Sequence, residues 1–489
     1  WGPTNAIMLN INRKIFFNHN FYLFEFARMT DPKINSSSLK FRQELIKTAQ
    51  SLNLCALALA NPQIVRQAPQ EPRPDLPAGL DYLNKNADVR ANPDLIHPGT
   101  KCIICAAMAY KLHPKEDNET YPQTSGRISA YACGRDYHKV LKKKLTALGN
   151  FLRNYLWKNR PDFPNLSSFI SGHVHDELKP TSLVPNPNQE HLSTPELFSD
   201  ATQITFRAIA DSAPFPERFV ATATGMAKEG KNGLCAISGA GSAIFLGELL
   251  VNIDLISLLQ ENNELGTEQA PTEKEGEKPT HVQADPKPKN SNPEHVIRYV
   301  SEPISYALYP TTNTLTSEPL PPSVSATCPK SCSRCFKACP TQALSAQGFK
   351  AERCLSYLTI ESDEDIPFEF WRALGTRVYG CDACQEGCLR CQNQKITLDP
   401  DFKNRFSATQ LDFLQLINLN ASEFTTLFAG TPIMHAGYRR FMRNVFTAAT
   451  NTTPSLELVQ ALNSRRADFK EYEDTINRAI SLIKSKLFN

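Results

Sequence analysis

The sequence predicts an α+β protein of several domains, and three patterns in its 489 residues support this class. Patterns typical of helices and strands alternate through the first half, as expected of an α/β or α+β layer domain. Eight cysteines fall between Cys328 and Cys388, and helical spacing of apolar residues returns after Gln394. We therefore expect a layered front domain, a small cysteine-rich module and a helical domain at the end.

The front half contains recognisable helix and strand patterns. Residues 39–54 have helical spacing, and residues 54–59 and 101–108 are short apolar runs that predict buried strands. Further strands are expected at 204–210 and 235–245, and a long basic helix at 136–155. Cys102 and Cys105 would point to opposite faces of their strand, which favours two core cysteines over a redox pair.

The eight cysteines predict two [4Fe–4S] clusters. They are Cys328, Cys332, Cys335 and Cys339, then Cys354, then Cys381, Cys384 and Cys388. In bacterial ferredoxin runs a cysteine before proline, here Cys339, serves the other cluster. Zinc and disulfides are the alternatives, but no histidine lies between Val324 and Gln394 and no secretory signal is visible. The gap from Cys328 to Cys332 is one residue longer than usual, and Cys391 is expected to be a free thiol rather than a substitute ligand.

Composition sets further limits. Hydrophobic residues make up 41%, charged residues 21%, and the net charge is +3, which is ordinary for a globular protein and does not require a polyanionic partner. No apolar run approaches the roughly 20 residues of a membrane helix. Fourteen cysteines without a signal sequence predict a cytoplasmic protein.

Two segments are expected to lie outside the folded domains. Residues 1–37 are expected to be a poorly ordered extension; either Met29 is the natural start of the chain, or the extension is genuine. The Glu-, Lys- and Pro-rich stretch 260–324 is expected to be a disordered insert or linker.

Several strings, taken in order, closely resemble the epoxyqueuosine reductase family over about residues 38–450, apart from the linker. Besides the first cysteine run they are YACGRDYHK at 131–139, DSAP at 211–214, GKN at 230–232, FLGE at 245–248, RCLSYLTIE at 353–361, YGCDACQ at 379–385 and GTPI at 430–433. The string at 353–361 is highly specific, whereas the GKN string alone would be weak. Leu389 departs from the family, which has proline after its last cluster cysteine.

The resemblance implies a cobalamin-binding catalytic domain at 38–259, a ferredoxin-like module with two [4Fe–4S] clusters at 325–396, and a helical, HEAT-like tRNA-binding domain at 397–489. It assigns one cluster to Cys328, Cys332, Cys335 and Cys388, and the other to Cys339, Cys354, Cys381 and Cys384. It implies cobalamin contacts from Arg90, Asp211, Cys235, Leu246 and Ser356. Asp211 would be the proton donor if burial raises its pKa, and the alternative is that it caps a helix.

The activity implied is reduction of the epoxide of epoxyqueuosine in a tRNA anticodon loop to queuosine. A monomer, an electron donor such as a flavodoxin or ferredoxin, and no membrane partner are expected. Two basic patches could bind RNA: Lys139 with residues 142–144, and Arg439, Arg440 and Arg443 beside Tyr438 and Phe441. The alternatives are a corrinoid enzyme like the reductive dehalogenases, a non-catalytic electron carrier, or a degenerate tRNA-binding relic.

Overall fold

The computed structural model describes residues 36–68, 77, 85–112, 123–170, 204–260, 305–309, 328–394, 398–407 and 409–488. Within these ranges there are eleven strands. In chain order, β1 to β11 are Ala56–Ala60, Cys102–Ala109, Arg127–Ile128, Phe206–Ile209, Lys228–Glu229, Cys235–Ala236, Ile244–Val251, Ser305–Tyr309, Leu344–Ser345, Gly348–Phe349 and Arg377–Tyr379.

The same ranges contain sixteen α-helices. In chain order, α1 to α16 are Ser36–Ser51, Ala87–Ala91, Tyr137–Lys158, Leu166–Phe169, Glu217–Ala223, Leu255–Gln260, Arg334–Ala338, Leu355–Ile360, Trp371–Leu374, Ala383–Glu386, Leu389–Gln392, Phe413–Asn418, Ala421–Phe428, Gly437–Ala448, Leu456–Ser464 and Glu473–Phe488. None of these described helices is long and apolar enough to cross a membrane.

The front half is built on a five-stranded sheet in the order β4-β7-β2-β1-β8. Every neighbouring pair in this sheet is antiparallel, so the front domain is α+β and the α/β expectation is wrong in this respect. Strand β2 is buried along its whole length. Cys102 packs into the core on one face and Cys105 into the core on the other, which confirms the prediction of two core cysteines.

One predicted strand is wrong in its bounds. The apolar run at 235–245 forms only the short β6, and the chain then turns before β7 starts at Ile244. Gly239 and Gly241 make this turn possible, because both adopt positive φ angles, 76° and 69°, that favour glycine. A Cβ atom on Gly241 would also stand 2.9 Å from the main chain of Arg390, so the turn packs tightly against α11.

The predicted linker at 260–324 contains an ordered element. Strand β8, Ser305–Tyr309, pairs with β1 and forms one edge of the front sheet, and Leu308 is buried. The expectation of disorder is wrong for these five residues, because pairing with β1 satisfies main-chain groups that the composition alone would leave to water. The predicted bounds are also wrong at two ends, because Gln260 ends α6 and Ser36 and Ser37 begin α1. The predicted linker at 261–304 and 310–324, and the predicted extension up to residue 35, lie outside the described residues.

Helix α3 covers one face of the sheet and carries the basic stretch. Asp136 caps its N-terminus by accepting a hydrogen bond from the main-chain N–H of His138. A buried stripe that includes Leu141, Leu145 and Leu148 faces the sheet. The prediction of a long basic helix at 136–155 is confirmed, with its end at Lys158, and the cap explains why it begins after Asp136.

The helices after residue 397 share a hydrophobic core with the cysteine-rich region and with a segment of the front half. Strand β3 pairs in parallel with β11, which inserts Ile128 into this core. Arg443 on α14 is fully buried and donates to the carbonyl of Ser362, and Asn444 donates to those of Thr359 and Val378. Buried polar side chains thus attach the C-terminal helices to the region that contains the cysteines.

Candidate functional site: a cysteine-lined cavity beside a carboxylate

Four cysteines line one cavity of about 290 Å³. They are Cys339, Cys354, Cys381 and Cys384. They come from three separate parts of the chain, and β9, β10 and α8 bring them together. Burial raises the pKa of Cys354 and Cys384, and that of Cys381 to about 11, so thiolates here require a compensating positive charge. Iron supplies such a charge, and this donor set fits a [4Fe–4S] cluster.

The cysteines predicted for the other cluster do not line this cavity. Cys335 on α7 interacts electrostatically with Cys328 and with Cys332. Cys388 instead hydrogen-bonds with Cys391, and this bond is the first cause that lowers the pKa of Cys388 to about 5. The inclusion of Cys388 in this cluster therefore stays a prediction. Among the described residues, no group of three or more His, Cys, Asp or Glu side chains could hold a single metal ion.

Cys391 is a buried thiol with defined partners. Its side chain is 3% exposed, and the main-chain N–H of Ser242 donates to its sulfur at 3.2 Å. Gln385 reaches the same turn and donates to the carbonyl of Ser242 at 2.8 Å, while Tyr110 donates to Gln385 at 3.1 Å. These contacts fix the cysteine-rich region against the front sheet.

Lys231 contributes a contact that the sequence did not reveal. Its Nζ donates to the main-chain carbonyls of Lys330 at 2.6 Å and Cys332 at 2.9 Å. The GKN string, weak as a motif, therefore carries the lysine that ties the front half to the loop of the first cysteine run. Only the folded chain brings these residues, about a hundred positions apart, into contact.

A tyrosine pair leads from the cavity to Asp211. Tyr131 lines the cavity, and its ring centroid lies 6.4 Å from that of Tyr137. The hydroxyl of Tyr137 donates to Asp211 Oδ2 at 2.7 Å. The ring of Tyr137 stacks on Phe245 with 4.4 Å between centroids and 6° between planes, which fixes its direction.

His138 is the second partner of the Asp211 carboxylate. Its Nε2 lies 3.7 Å from Asp211 Oδ2, and its Nδ1 lies 2.7 Å from Asp136 Oδ1. Burial lowers the pKa of His138, but the two carboxylates outweigh it and raise that pKa to about 9. His138 is therefore a cation at neutral pH, held between two anions.

The protonation expected for Asp211 is wrong in this conformation. Its side chain is 67% exposed, and the interaction with His138 lowers its pKa below the usual value; partial burial opposes this shift, and the Tyr137 hydrogen bond adds to it. Asp211 is consequently a carboxylate at neutral pH, and the protons are on its two partners. The capping alternative is also wrong, because α5 begins at Glu217 after Pro216.

The residues expected to contact cobalamin fall into two groups, one at the core on one face of the front sheet and one at the cysteine cavity. Cys235 belongs to the core on that face, and Leu246 and Val89 pack against it. Arg90 follows Val89 on α2, and its buried Nε has no hydrogen-bond partner among the described residues. Ser356 lines the cysteine cavity together with Leu234. An unsatisfied guanidinium donor beside an apolar wall fits a large ligand rich in amide carbonyls.

The two candidate RNA patches differ. Lys139 and Lys143 on α3 are exposed, whereas Lys144 forms an ion pair of 2.6 Å with the buried Asp399. In the second patch Arg443 is fully buried, Arg440 pairs with Asp363 and Arg439 with Glu471. That arginine group therefore holds the protein together, and its interpretation as a free basic patch is wrong.

Two family models match the chain. The one described as "Epoxyqueuosine reductase QueG, DUF1730" matches residues 90–161, and the one described as "4Fe-4S double cluster binding domain" matches residues 328–389. The second match spans the eight cysteines singled out by their spacing and confirms an iron–sulfur cluster binding domain. Together with the cavity, it places the chain in the class of iron–sulfur proteins.

Relatives over most of the chain give a more particular resemblance, and the one predicted from the motifs is confirmed: the chain is similar to epoxyqueuosine reductases. The Yersinia pestis protein of that name is 28% identical over 449 residues, covering 90% of this chain and 89% of its own length. That of Aliivibrio fischeri is 28% identical over 395 residues, covering 79% and 75%, and that of Escherichia coli 26% identical over 404 residues, covering 82% and 78%.

Solved structures share the fold. An epoxyqueuosine reductase crystallised with a tRNA-Tyr epoxyqueuosine-modified tRNA stem loop has a TM-score of 0.57 at 19% identity, covering 91% of this chain and all of its own. The Streptococcus thermophilus epoxyqueuosine reductase has a TM-score of 0.54 at 19% identity, covering 90% and 88%. At this identity the structures establish the mixed helix and strand fold.

Proposed function

We propose that this protein reduces the epoxide of epoxyqueuosine in a tRNA anticodon loop to queuosine. Removing the epoxide oxygen takes two electrons and two protons, breaks two C–O bonds, forms a C=C bond and releases water. The observation that carries the proposal is the continuity from the cysteine cavity through Tyr131 and Tyr137 to the Asp211 carboxylate. Electrons from the cysteine cavity and protons from the partners of Asp211 would therefore reach the same place.

We further propose that the protein holds two [4Fe–4S] clusters and cobalamin. Arg90, Cys235, Leu246 and Ser356 would contact the corrinoid, and the eight cysteines assigned by resemblance would hold the clusters. When bound, low-valent cobalt supplies a strong nucleophile and reductant, and the clusters supply its electrons. The protein itself contributes orientation, exclusion of water and protons.

The proton step follows from the partners of Asp211. Because Asp211 is a carboxylate, it must take up a proton before it can give one to the leaving oxygen. His138 is the donor at hand, since its pKa of about 9 keeps it protonated at neutral pH. Its proton would pass to Asp211 Oδ2 and then to the epoxide oxygen, and a second proton, taken up by His138 from solvent, would follow the same route so that the oxygen leaves as water. Tyr137 keeps the carboxylate in place by its hydrogen bond.

The partners belong to the same proposal. The exposed Lys139 and Lys143 lie on the helix that begins with Tyr137 and His138, so the phosphates of an anticodon stem loop would contact them beside the site. The helices after residue 397 would extend this surface in a HEAT-like manner. The electron donor would be a flavodoxin or ferredoxin, and the protein would act as a monomer.

The test is an anaerobic reaction with tRNA that carries epoxyqueuosine, cobalamin and a strong reductant, followed by mass spectrometry of the nucleosides. The unaltered protein should form queuosine. Asp211→Asn should keep iron and cobalamin but lose about 100-fold or more in turnover. Asp468→Asn, an exposed carboxylate remote in sequence, is the matched control and should retain activity. Absence of queuosine with fully loaded protein would refute the proposal, and full turnover by Asp211→Asn would remove Asp211 from it.

A further inference from the structure

Two further carboxyl groups lie directly behind Asp211 and take no part in the proton step proposed above. Glu217 is the first residue of α5, and its Oε1 accepts a hydrogen bond from the main-chain N–H of Asp211 at 2.6 Å. Glu248 lies in the middle of β7 and is fully buried. The side chains of Glu217 and Glu248 are close enough to interact directly, each as a cause of the other's pKa shift.

A hydrogen bond between two carboxyl groups requires a proton on one of them. Glu248 Oε1 receives only the weak thiol donor of Cys105 at 3.6 Å, and Glu248 Oε2 is buried without any other donor among the described residues. Two ionised carboxylates in this place would put two like charges side by side, one of them on the fully buried Glu248 and the other on the partly exposed Glu217. A proton shared by the pair supplies the missing donor and removes one charge.

The charges around the pair agree with a shared proton. Asp211, an anion, faces it from the loop, and Cys105 and Cys235 are neutral thiols because burial raises the pKa of each. His138 is the nearby cation, but it lies between Asp136 and Asp211, and Arg218 pairs with Glu229. Burial accordingly raises the pKa of Glu217 to about 8 and that of Glu248 well above its usual value.

The main chain of Asp211 needs this support. Its φ angle is 47°, in the left-handed region that residues with side chains rarely adopt. A residue held there raises the energy of the fold and persists only where its surroundings determine it. Because the side chain of Asp211 is largely exposed, packing around it contributes little to holding the backbone. The hydrogen bond from the Asp211 N–H to Glu217 is the main-chain contact that stabilises this conformation.

We propose that Glu217 and Glu248 form a carboxyl pair that shares a proton and holds the main chain of Asp211 in place. Both are then positioning residues: Glu217 binds the Asp211 N–H, and Glu248 holds Glu217. The presence of the pair is independent of the substrate, and its importance for turnover rests on the proposed function of Asp211.

The first test is hydrogen exchange at the Asp211 amide, measured on protein loaded with iron and cobalamin but without RNA. Glu217→Ala should speed this exchange about tenfold, because the amide loses its acceptor. Glu217→Gln keeps a carbonyl oxygen and should restore protection. Glu229→Gln, an exposed carboxylate in the neighbouring β5, is the control and should match the unaltered protein. Parent-like exchange in Glu217→Ala would overturn the proposal.

The second test detects the proton itself. Infrared difference spectra between H₂O and D₂O near neutral pH should contain the carbonyl band of a buried carboxylic acid. Glu248→Gln should remove that band or reduce it, and Glu229→Gln should leave it unchanged. Absence of the band in the unaltered protein, or its persistence when both Glu217 and Glu248 are replaced by glutamine, would overturn the shared proton.

These measurements separate the pair from the proposed reaction. Slow exchange and a carboxylic-acid band in a protein that forms no queuosine would leave the pair standing and remove the proposed activity. Conversely, queuosine formation with normal turnover by Glu217→Ala would retain the activity and remove the positioning role. Under the proposal, Glu217→Ala should lower turnover about tenfold, and Glu217→Gln should recover most of it.

Discussion

The cysteine cavity and the Asp211 site, which are connected by Tyr131 and Tyr137, differ in what sets the charge of their side chains. In the cavity, burial raises the pKa of Cys354, Cys381 and Cys384, so the thiols need a metal cluster before they can carry charge. At Asp211, exposure and a cationic partner keep the carboxylate charged without any ligand. The comparison teaches that the first region depends on its cofactor for its charge state, whereas the second obtains its charge state from the protein.

The largest effect should come from removing one sulfur of the cavity. Cys384→Ala should lower the iron content by about half, since one of the two predicted clusters loses a ligand. Cys133→Ala is the control, because Cys133 is a buried cysteine that lies outside the cavity. Iron analysis and electron paramagnetic resonance of anaerobic protein provide the measurement. An unchanged iron content in Cys384→Ala would contradict the claim that the cavity cysteines hold a cluster.

At the carboxylate site, His138→Gln should lower turnover about 100-fold while leaving the iron content unchanged. The charged imidazole is the proton source, so turnover of the unaltered protein should fall as pH rises through about 9, where His138 loses its proton. That fall should be absent in His138→Gln. A pH profile identical in both proteins would show that His138 does not supply the proton.

Arg443→Met should test the support of the cavity without touching Asp211. The guanidinium of Arg443 satisfies buried carbonyls at and after the end of α8, the helix that begins after the cavity ligand Cys354. Its loss should lower the free energy of unfolding by about 3 kcal/mol, since those carbonyls would stay buried without donors. Chemical denaturation measures this, and Arg439→Met, which removes an exposed ion pair, should have a much smaller effect.

The smallest effect should be a difference in pH dependence of stability. The pKa of Glu217 is raised in the folded state, so folding binds a proton and this contribution to stability decreases as pH rises from about 5 to 8. The pKa of Asp211 is lowered, so its contribution is present at neutral pH and is lost as pH falls below its usual value. Melting curves of Glu217→Gln should therefore lack part of the decrease towards pH 8. An unchanged slope would contradict the raised pKa.

The cysteine chemistry could be predicted from sequence because its signal is local. Spacing and the proline after Cys339 identify ligands without knowledge of the fold, and the family model over residues 328–389 matches the same cysteines. The amphipathic pattern of α1 could be predicted in the same way, because helical periodicity appears in the spacing of nearby residues. Neighbouring glycines at 239 and 241 also signal a turn, and greater weight on them would have placed the start of β7 correctly.

By itself, then, the sequence determined which residues could bind iron and which segments could form amphipathic helices, since both depend on short-range spacing. Only the tertiary structure decided that Asp211 stays exposed beside His138, that Arg443 is buried and that Ser305–Tyr309 completes the front sheet. The physical reason is that protonation, burial and strand pairing depend on partners far away in the chain. His138 beside Asp211, and Glu248 beside Glu217, are close only because the sheet and α3 bring them together.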